Sequence, residues 1–222
     1  MKNLSPRLEA VASLVRKGRR VADIGTDHAY LPVYLVQSGV ADFCIAADLR
    51  KGPLENAKKA VEEAGLEENI ILRLSDGLQK FEPDEVDEIV IAGMGGILIA
   101  QIIEAAPWLQ KGGKHLVLQP MSHPEILRKY LLDNGFCIID ERLVKEDKIY
   151  QIILAEYFGA NSAYNQIELM LGKINIEKKD SLLAELLEHT KKVYLKRIEG
   201  KASANADATE EKELLLEIEK LL

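Results

Sequence analysis

"FCIIDERLVKEDKIYQIILAEY", residues 136–157, contains two extended apolar runs, 136–144 and 149–157, joined by the charged "KED" with no helix between them. Strands connected so closely must run antiparallel, because a parallel crossover needs a dozen or more residues. This pair therefore closes whatever sheet precedes it.

What precedes it alternates. From about residue 19 to 120, short apolar runs ("RRVADIG", "DFCIAADL", "NIILRLSDGL", "DEIVIAGMGG", "KHLVLQP") are each followed by a connecting segment, four of which carry a helical pattern. In "GPLENAKKAVEEAGL", Pro53 stands near the helix start and Gly65 near its end, the usual asymmetry of helix termini. Strands alternating with helices at this spacing predict a parallel sheet covered on both faces. Five parallel strands closed by the antiparallel pair give an α/β fold with a mostly parallel seven-stranded sheet, an order that resembles the Rossmann-like class I methyltransferases. The domain is expected to span 1–157.

Residues 158–222 are of another kind. Leu183, Leu187, Thr190 and Tyr194, and later Leu214, Ile218 and Leu221, recur at helical spacing among many charges, which predicts a C-terminal helical hairpin, coiled-coil-like in character. "GKASANADATEE" is its turn, with Gly200 as the helix stop and Asp207 or Thr209 as the next N-cap.

With 222 residues, 47% of them apolar types, the chain can bury one sizeable core and still support a small appendage. No run approaches the roughly 18 apolar residues of a membrane span, and "MKNLSPRLEA" lacks the apolar stretch of a secretory signal. A cytoplasmic protein without membrane partners is predicted. Cys44 and Cys137, far apart in apolar runs, suit buried free thiols, and no cysteine or histidine spacing suggests a metal site.

The net charge of −7 argues against a protein that coats nucleic acid. Its distribution is uneven, however. Residues 1–20 carry Lys2, Arg7, Arg16, Lys17, Arg19 and Arg20 against the single acid Glu9, predicting a basic leading helix, and "KKVYLKRIEGK" forms a second basic cluster from Lys191 to Lys201. Each is either a solvated face or an electrostatic footprint for a polyanion.

The strand ends define the candidate chemistry. "VADIGTDHAYLP", residues 21–32, opens like a dinucleotide-binding turn but places Asp27 and Tyr30 where further glycines belong. Those glycines make room for a pyrophosphate, so a pyrophosphate is disfavoured. Ligands of open parallel sheets bind beyond the C-terminal strand ends. Asp48, ending the second strand, can accept both hydroxyls of a ribose. Asp76 and Gly77 end the third strand, where an acceptor meets an adenine amino group, and "AGMGG" from Ala92 to Gly96 brings Gly93 and Met94 to the end of the fourth. A ribose site without a pyrophosphate site points to an adenosyl ligand with a zwitterionic tail, and S-adenosylmethionine fits.

With these motifs assembled, the chain resembles the bacterial tRNA (adenine-22-N1)-methyltransferases. The resemblance rests on "SPRLEAVASLV", "DIGTDHAYLPVYLV", "SDGL", "IAGMGG" and "LVLQP", in that order. After "LQP", Met121-Ser122 stand where the family tends to show two asparagines. The resemblance implies transfer of the sulfonium methyl to N1 of a tRNA adenine, with position 22 implied by it alone. Ring N1 has an in-plane lone pair and needs no general base, so the task is alignment. N1 lies on the Watson–Crick edge, so the base must be unpaired or flipped out.

Asp27 is the first candidate for a contact to the target adenine, accepting from N6 and stabilising developing positive charge. Its alternative is an N-cap for a helix starting near His28. Tyr30 is a candidate to stack on or orient the base. Asp23 is a candidate for the methionine ammonium, Gly25 for close cofactor approach, and His28, by the resemblance, for cofactor contact. Arg7, Arg16, Lys17 and Arg20, with Lys192, Lys196 and Arg197, become candidate tRNA phosphate contacts. A monomer or weak homodimer suits this reading. Two rivals stay open, a small-molecule methyltransferase using the same cofactor half and a non-catalytic RNA-binding protein with a vestigial pocket. A nicotinamide dehydrogenase is disfavoured by the missing glycines and the antiparallel closure.

Overall fold

A computed structural model describes residues 4–222, so Lys2 lies outside the described residues. Among these residues seven strands form one sheet: β1 (Arg19–Ile24), β2 (Ala41–Asp48), β3 (Ile70–Leu74), β4 (Glu88–Gly95), β5 (His115–Ser122), β6 (Phe136–Lys145) and β7 (Ile149–Tyr157). Their order is β3-β2-β1-β4-β5-β7-β6. β3, β2, β1, β4 and β5 pair in parallel, and β7 runs antiparallel to both β5 and β6. The closing hairpin read from residues 136–157 thus inserts its second strand into the sheet and leaves its first at the edge. The strand order reverses between β1 and β4, which opens a crevice at their C-terminal ends.

The central strands are apolar without alternation because helices cover both faces. Val21, Ala22, Val90, Ile91, Leu116, Val117 and Leu118 are all buried. The helices of this unit are α1 (Pro6–Ala12), α2 (Tyr30–Gln37), α3 (Lys51–Ala64), α4 (Gly96–Glu104), followed by a short 3-10 turn at Pro107–Lys111, and α5 (Pro124–Asp133). Their ends follow local rules. Ser5 caps α1, accepting from the Leu8 N–H, with Pro6 in the first turn, and Gly65 ends α3 in the left-handed region at φ 64°.

One buried charge group ties α5 to the closing hairpin. Arg128, fully buried, donates from Nε to Glu141 Oε1 at 2.6 Å and from Nη2 to Gln151 Oε1 at 2.7 Å. These contacts join α5, β6 and β7.

The described residues form two compact units, which divide between Ala163 and Tyr164. The second contains α6 (Gln166–Leu171), α7 (Lys173–Glu177), α8 (Leu183–Ser203) and α9 (Thr209–Leu221). Asn165 and Glu168 form a reciprocal capping box on α6. Lys191 of α8 meets Glu219 of α9 at 2.8 Å, and Lys201 pairs with Glu211, so the last two helices run antiparallel. Leu186, Leu187 and Tyr194 of α8 and Leu214 and Ile218 of α9 are buried.

Three local expectations are corrected. α8 does not stop at Gly200 but continues to Ser203, with Asn205 taking the left-handed conformation at φ 51°; a glycine in a helix interior costs only about 1 kcal/mol, and Lys201 in the added turn pairs with Glu211 of α9. The basic leading segment is not one helix. α1 carries only Arg7, whereas Arg16 and Lys17 lie in the turn after it and Arg19 and Arg20 begin β1. Finally, Cys137 is only half-buried, since it lies on the edge strand, while Cys44 is fully buried in β2 and its thiol is held well above the usual range by burial.

Candidate active site

The chain leaves β1 in a tight turn. The N–H groups of Gly25 and Thr26 both donate to the Ala47 carbonyl, at 2.8 and 3.0 Å, so the segment stays against β2. Gly25 adopts φ +83°, and a side chain there would also meet Met94 Cε. Thr26 Oγ1 accepts the Ala29 N–H at 3.2 Å. Ala29 is left-handed (φ 52°, ψ 25°), and α2 starts immediately after it with no side-chain cap. Non-glycine residues in this region are uncommon and concentrate at functional sites.

Asp27 therefore does not cap the helix. It is exposed, and its Oδ2 lies 3.4 Å from His28 Nε2. The His28 ring in turn stacks on Tyr30, with centroids 5.0 Å apart and planes at 9°.

The stretch "AGMGG" is still largely strand. β4 continues to Gly95 and bulges, since Ala92 pairs with Gln119 and Met94 with Pro120 while Gly93 has no opposite residue. Bulges leave one residue outside the ladder and recur beside active sites. The Gly93 N–H is satisfied by a side chain, Gln119 Oε1, at 3.1 Å. The same oxygen accepts from Arg7 Nη1 at 2.7 Å, and the Gln119 amide donates to the Pro120 carbonyl at 2.9 Å. Gly93, at φ +83°, has only the Arg7 guanidinium near its open face. Gly95 and Gly96 serve packing, because side chains there would press on Ser122 Oγ and on the His123 carbonyl. Ser122 thus packs against the end of β4, while Met121 Sδ accepts from Gln119 Nε2 at 3.7 Å.

The ends of β2 and β3 form the other wall. Asp48 is buried, and its Oδ1 accepts the Arg50 N–H at 2.7 Å. The Ser75 N–H donates to the Asp48 carbonyl at 3.0 Å, and Ser75 Oγ donates to the Gly77 carbonyl at 2.9 Å, shaping the "SDG" turn. Asp76 is exposed.

Two cavities of about 340 Å³ each open at this crevice, a size that suits a small-molecule site. One is bounded by Asp48, Asp76, Gly77 and Met94, with Leu49, Leu98 and Ile102 as apolar walls. The other is bounded by Arg7, Asp23, Asp27, His28 and Tyr30. Gly25, Ala92 and Gly93 line both. The first offers carboxylates for hydroxyl and amino donors beside apolar walls. The second offers a buried acid and a guanidinium, complementary to an amino-acid zwitterion. Burial pushes the Asp23 carboxyl up to about 6, opposed by a hydrogen bond from Thr26 and reinforced by the nearby Asp48 charge. A cationic group arriving beside Asp23 would relieve that cost. The donor set and the open face of Gly93 fit S-adenosylmethionine.

All ten candidate cofactor and catalytic residues line one or both cavities. His28 belongs to the second cavity, with Asp27 and Tyr30. Sequence reasoning missed Gln119, whose signal was a polar residue inside the apolar run "LVLQP", and the walls Leu98 and Ile102, which gave none because "ILIAQII" is apolar except at Gln101, and Leu49, a single apolar residue after Asp48.

The basic candidates separate. Arg7 reaches the cavity. Arg16, Lys17 and Arg20 lie at the opposite end of β1, about 20 Å away for a six-residue strand. Arg16 is paired with the buried Glu88, and Arg20 meets Asp87 through Nη2 and Nε at 3.2 Å. Lys17 is exposed. In the second unit Lys192, Lys196 and Arg197 are exposed on α8, with Arg197 over the Tyr194 ring at 5.1 Å. Among the described residues no cluster of three or more His, Cys, Asp or Glu could hold a metal, and no helix is long and apolar enough to cross a membrane.

Comparison with known proteins agrees with this geometry. A family model described as a methyltransferase domain matches residues 4–153. The tRNA (adenine(22)-N(1))-methyltransferase of Bacillus subtilis is 37% identical over 97% of this chain and 92% of its own length. The crystal structure of the B. subtilis m1A22 tRNA methyltransferase TrmK matches at TM-score 0.85 and 33% identity, covering 99% of this chain and 96% of that one. M. capricolum TrmK, in complex with S-adenosylhomocysteine, matches at TM-score 0.82 and 27% identity over 98% of this chain and 96% of its own. Carrying the closing antiparallel strand, the cleft and this similarity along nearly its whole length, the chain belongs to the tRNA (adenine(22)-N(1))-methyltransferase family.

Proposed function

We propose that this protein transfers a methyl group from S-adenosylmethionine to N1 of an adenine in tRNA, at position 22. The observation that carries this reading is the meeting of the two cavities at Gly25, Ala92 and Gly93, which joins an adenosyl-type slot to a rim of Asp27, His28 and Tyr30. When bound, S-adenosylmethionine supplies an electrophilic methyl on a sulfonium.

The residues divide the work. Asp48 would accept from the ribose hydroxyls, and Asp76 with the Gly77 backbone would meet the adenine edge of the cofactor, with Leu49 and Leu98 as apolar walls. Asp23 holds the ammonium and Arg7 the carboxylate of the amino-acid tail. At the rim Tyr30, braced by its stack on His28, orients the target base. Asp27 accepts from its N6 amino group. No residue need remove a proton, because the N1 lone pair is already available; the product ring is cationic, and the Asp27 carboxylate stabilises that charge as it forms.

Lys17, with Lys192, Lys196 and Arg197, supplies phosphate contacts. Arg16 and Arg20 contribute less, because acids of the same chain already balance them. A tRNA acceptor and free thiols support a cytoplasmic location. The test is methyl transfer from labelled S-adenosylmethionine to unmodified tRNA, followed by nucleoside analysis. Labelled 1-methyladenosine at position 22 is the expected product. Cofactor binding without labelled tRNA would move the acceptor to a small molecule.

A further inference from the structure

The rim of the second cavity does not end at Tyr30. A groove continues from it across the surface between α2 and α3. Its near part, about 130 Å³, is lined by His28, Tyr30, Asn56, Lys59 and Glu63. Its far part, about 190 Å³, is lined by Tyr30, Tyr34, Gln37 and Glu63, with Val33, Ala60 and Ala64 as its apolar floor. Tyr30 borders the cavity and both parts of the groove, and His28 borders the cavity and the near part. Cleft and groove therefore adjoin at His28 and Tyr30.

The chemistry of this groove is specific. Tyr34 presents an aromatic ring one helical turn after Tyr30, half-buried against the core. Lys59 is exposed and makes no ion pair among the described residues, unlike its neighbour Lys58, which pairs with Glu62 at 3.6 Å. Gln37 and Asn56 offer amides that can donate or accept. Glu63 accepts only, so it admits an amino edge or a ribose hydroxyl and repels a phosphate. One cation, one acceptor, two amides and an aromatic over an apolar floor match a nucleotide, with the phosphate toward Lys59 and the base toward Tyr34. Recognition of unpaired nucleotides by stacking on aromatics beside a backbone-binding cation follows this pattern.

We propose that the α2–α3 groove binds the nucleotide next to the target adenine, its base on Tyr34 and its phosphate on Lys59. The inference rests on the tRNA reading above. An adenine held at N1 in the cleft remains linked to its neighbours, and this groove is the continuation that opens from the rim formed by His28 and Tyr30. Holding a neighbour there would fix the strand while the target is flipped, so the groove contributes to RNA affinity and not to cofactor affinity.

The test uses the full chain and unmodified tRNA carrying a single abasic site on the 5′ or the 3′ side of the target adenine, with the parent and the Tyr34→Leu and Lys59→Ala variants. One abasic tRNA should raise KM for the parent roughly five-fold or more, a typical loss for one stacked base. Tyr34→Leu should show that loss on intact tRNA and no further loss on the abasic one. Lys59→Ala should raise KM on intact tRNA and reduce its salt dependence by about one phosphate contact. Cofactor affinity and kcat at saturating tRNA should stay at the parental value. Should neither abasic site affect the parent, or the abasic loss persist in full in Tyr34→Leu, the assignment is overturned. Failure of the parent to methylate any tRNA would instead refute the underlying function, and Lys59→Ala, at an exposed position, separates a binding loss from a folding defect.

Discussion

Gly93 donates its backbone N–H to Oε1 of Gln119 at 3.1 Å, so a side chain stands where the bulge in β4 removed the strand partner. The same oxygen holds Arg7. One buried amide therefore sets both the backbone at which the two cavities meet and the cation that faces them. Replacing it with the similarly sized Gln119→Met leaves two donors without their acceptor. Destabilisation of about 1–3 kcal/mol is expected, with cofactor affinity lowered about ten-fold. Urea unfolding and calorimetric titration measure both; parental values would mean that strand pairing alone holds the bulge.

Asp23 makes the ligand-free protein less stable as pH rises. Its carboxyl is raised to about 6 from 3.8, so the folded state binds the proton more tightly than the unfolded chain. Stability is then lost as pH climbs from about 4 to 6, and the full penalty, about 3 kcal/mol at most, persists above that window. Asp23→Asn should raise Tm at pH 7.5 and leave it nearly unchanged near pH 4, while weakening S-adenosylmethionine binding at least ten-fold. For the parent, affinity should fall about ten-fold between pH 7 and 5, because below about 6 the arriving ammonium must displace a proton. Affinity independent of pH would remove Asp23 from the ammonium site.

Asp27 is exposed and caps no helix, so its removal tests function without a stability cost. Asp27→Ala should unfold within about 0.5 kcal/mol of the parent, bind cofactor normally, and lose on the order of 100-fold in turnover on tRNA. Rapid-quench methyl transfer separates the chemical step from release. A variant with parental kcat would assign charge stabilisation to another group.

Arg128, Glu141 and Gln151 lock α5 to the closing hairpin from inside. Both charged side chains are fully buried, so removing one strands the other. Glu141→Leu should destabilise by about 3–5 kcal/mol, whereas the double replacement Arg128→Met with Glu141→Leu should recover much of that loss. Thermal denaturation of the two variants decides it; equal losses would show that the pair is not coupled.

The exposed cations of α8 should act through phosphate. Lys192→Ala, Lys196→Ala and Arg197→Ala should each weaken tRNA binding at low salt and reduce the slope of log affinity against log salt by about one, with cofactor affinity untouched. Binding titrations at several salt concentrations provide the measurement, and an unchanged slope would return these side chains to ordinary solvated surface.

The sequence by itself determined the strand and helix order, the antiparallel closure at 136–157, and the positions of the acids at the ends of β1, β2 and β3. Those features are written locally, in hydrophobic periodicity and in turn residues such as Gly25, Gly65 and Gly77. What only the tertiary structure decided depends on partners far apart in the chain. Arg7 and Gln119 are separated by 112 positions, and no local pattern could show that a basic residue of α1 would reach a bulge in β4. Asp27 read equally as a cap or a functional acid until Ala29 was found in the left-handed region, which starts α2 later than the residue types suggest. Arg16 and Arg20 read as free charge because their acids, Glu88 and Asp87, arrive from another strand end. Local propensities specify elements, but charge pairing and the satisfaction of buried polar groups are settled only when the strands align.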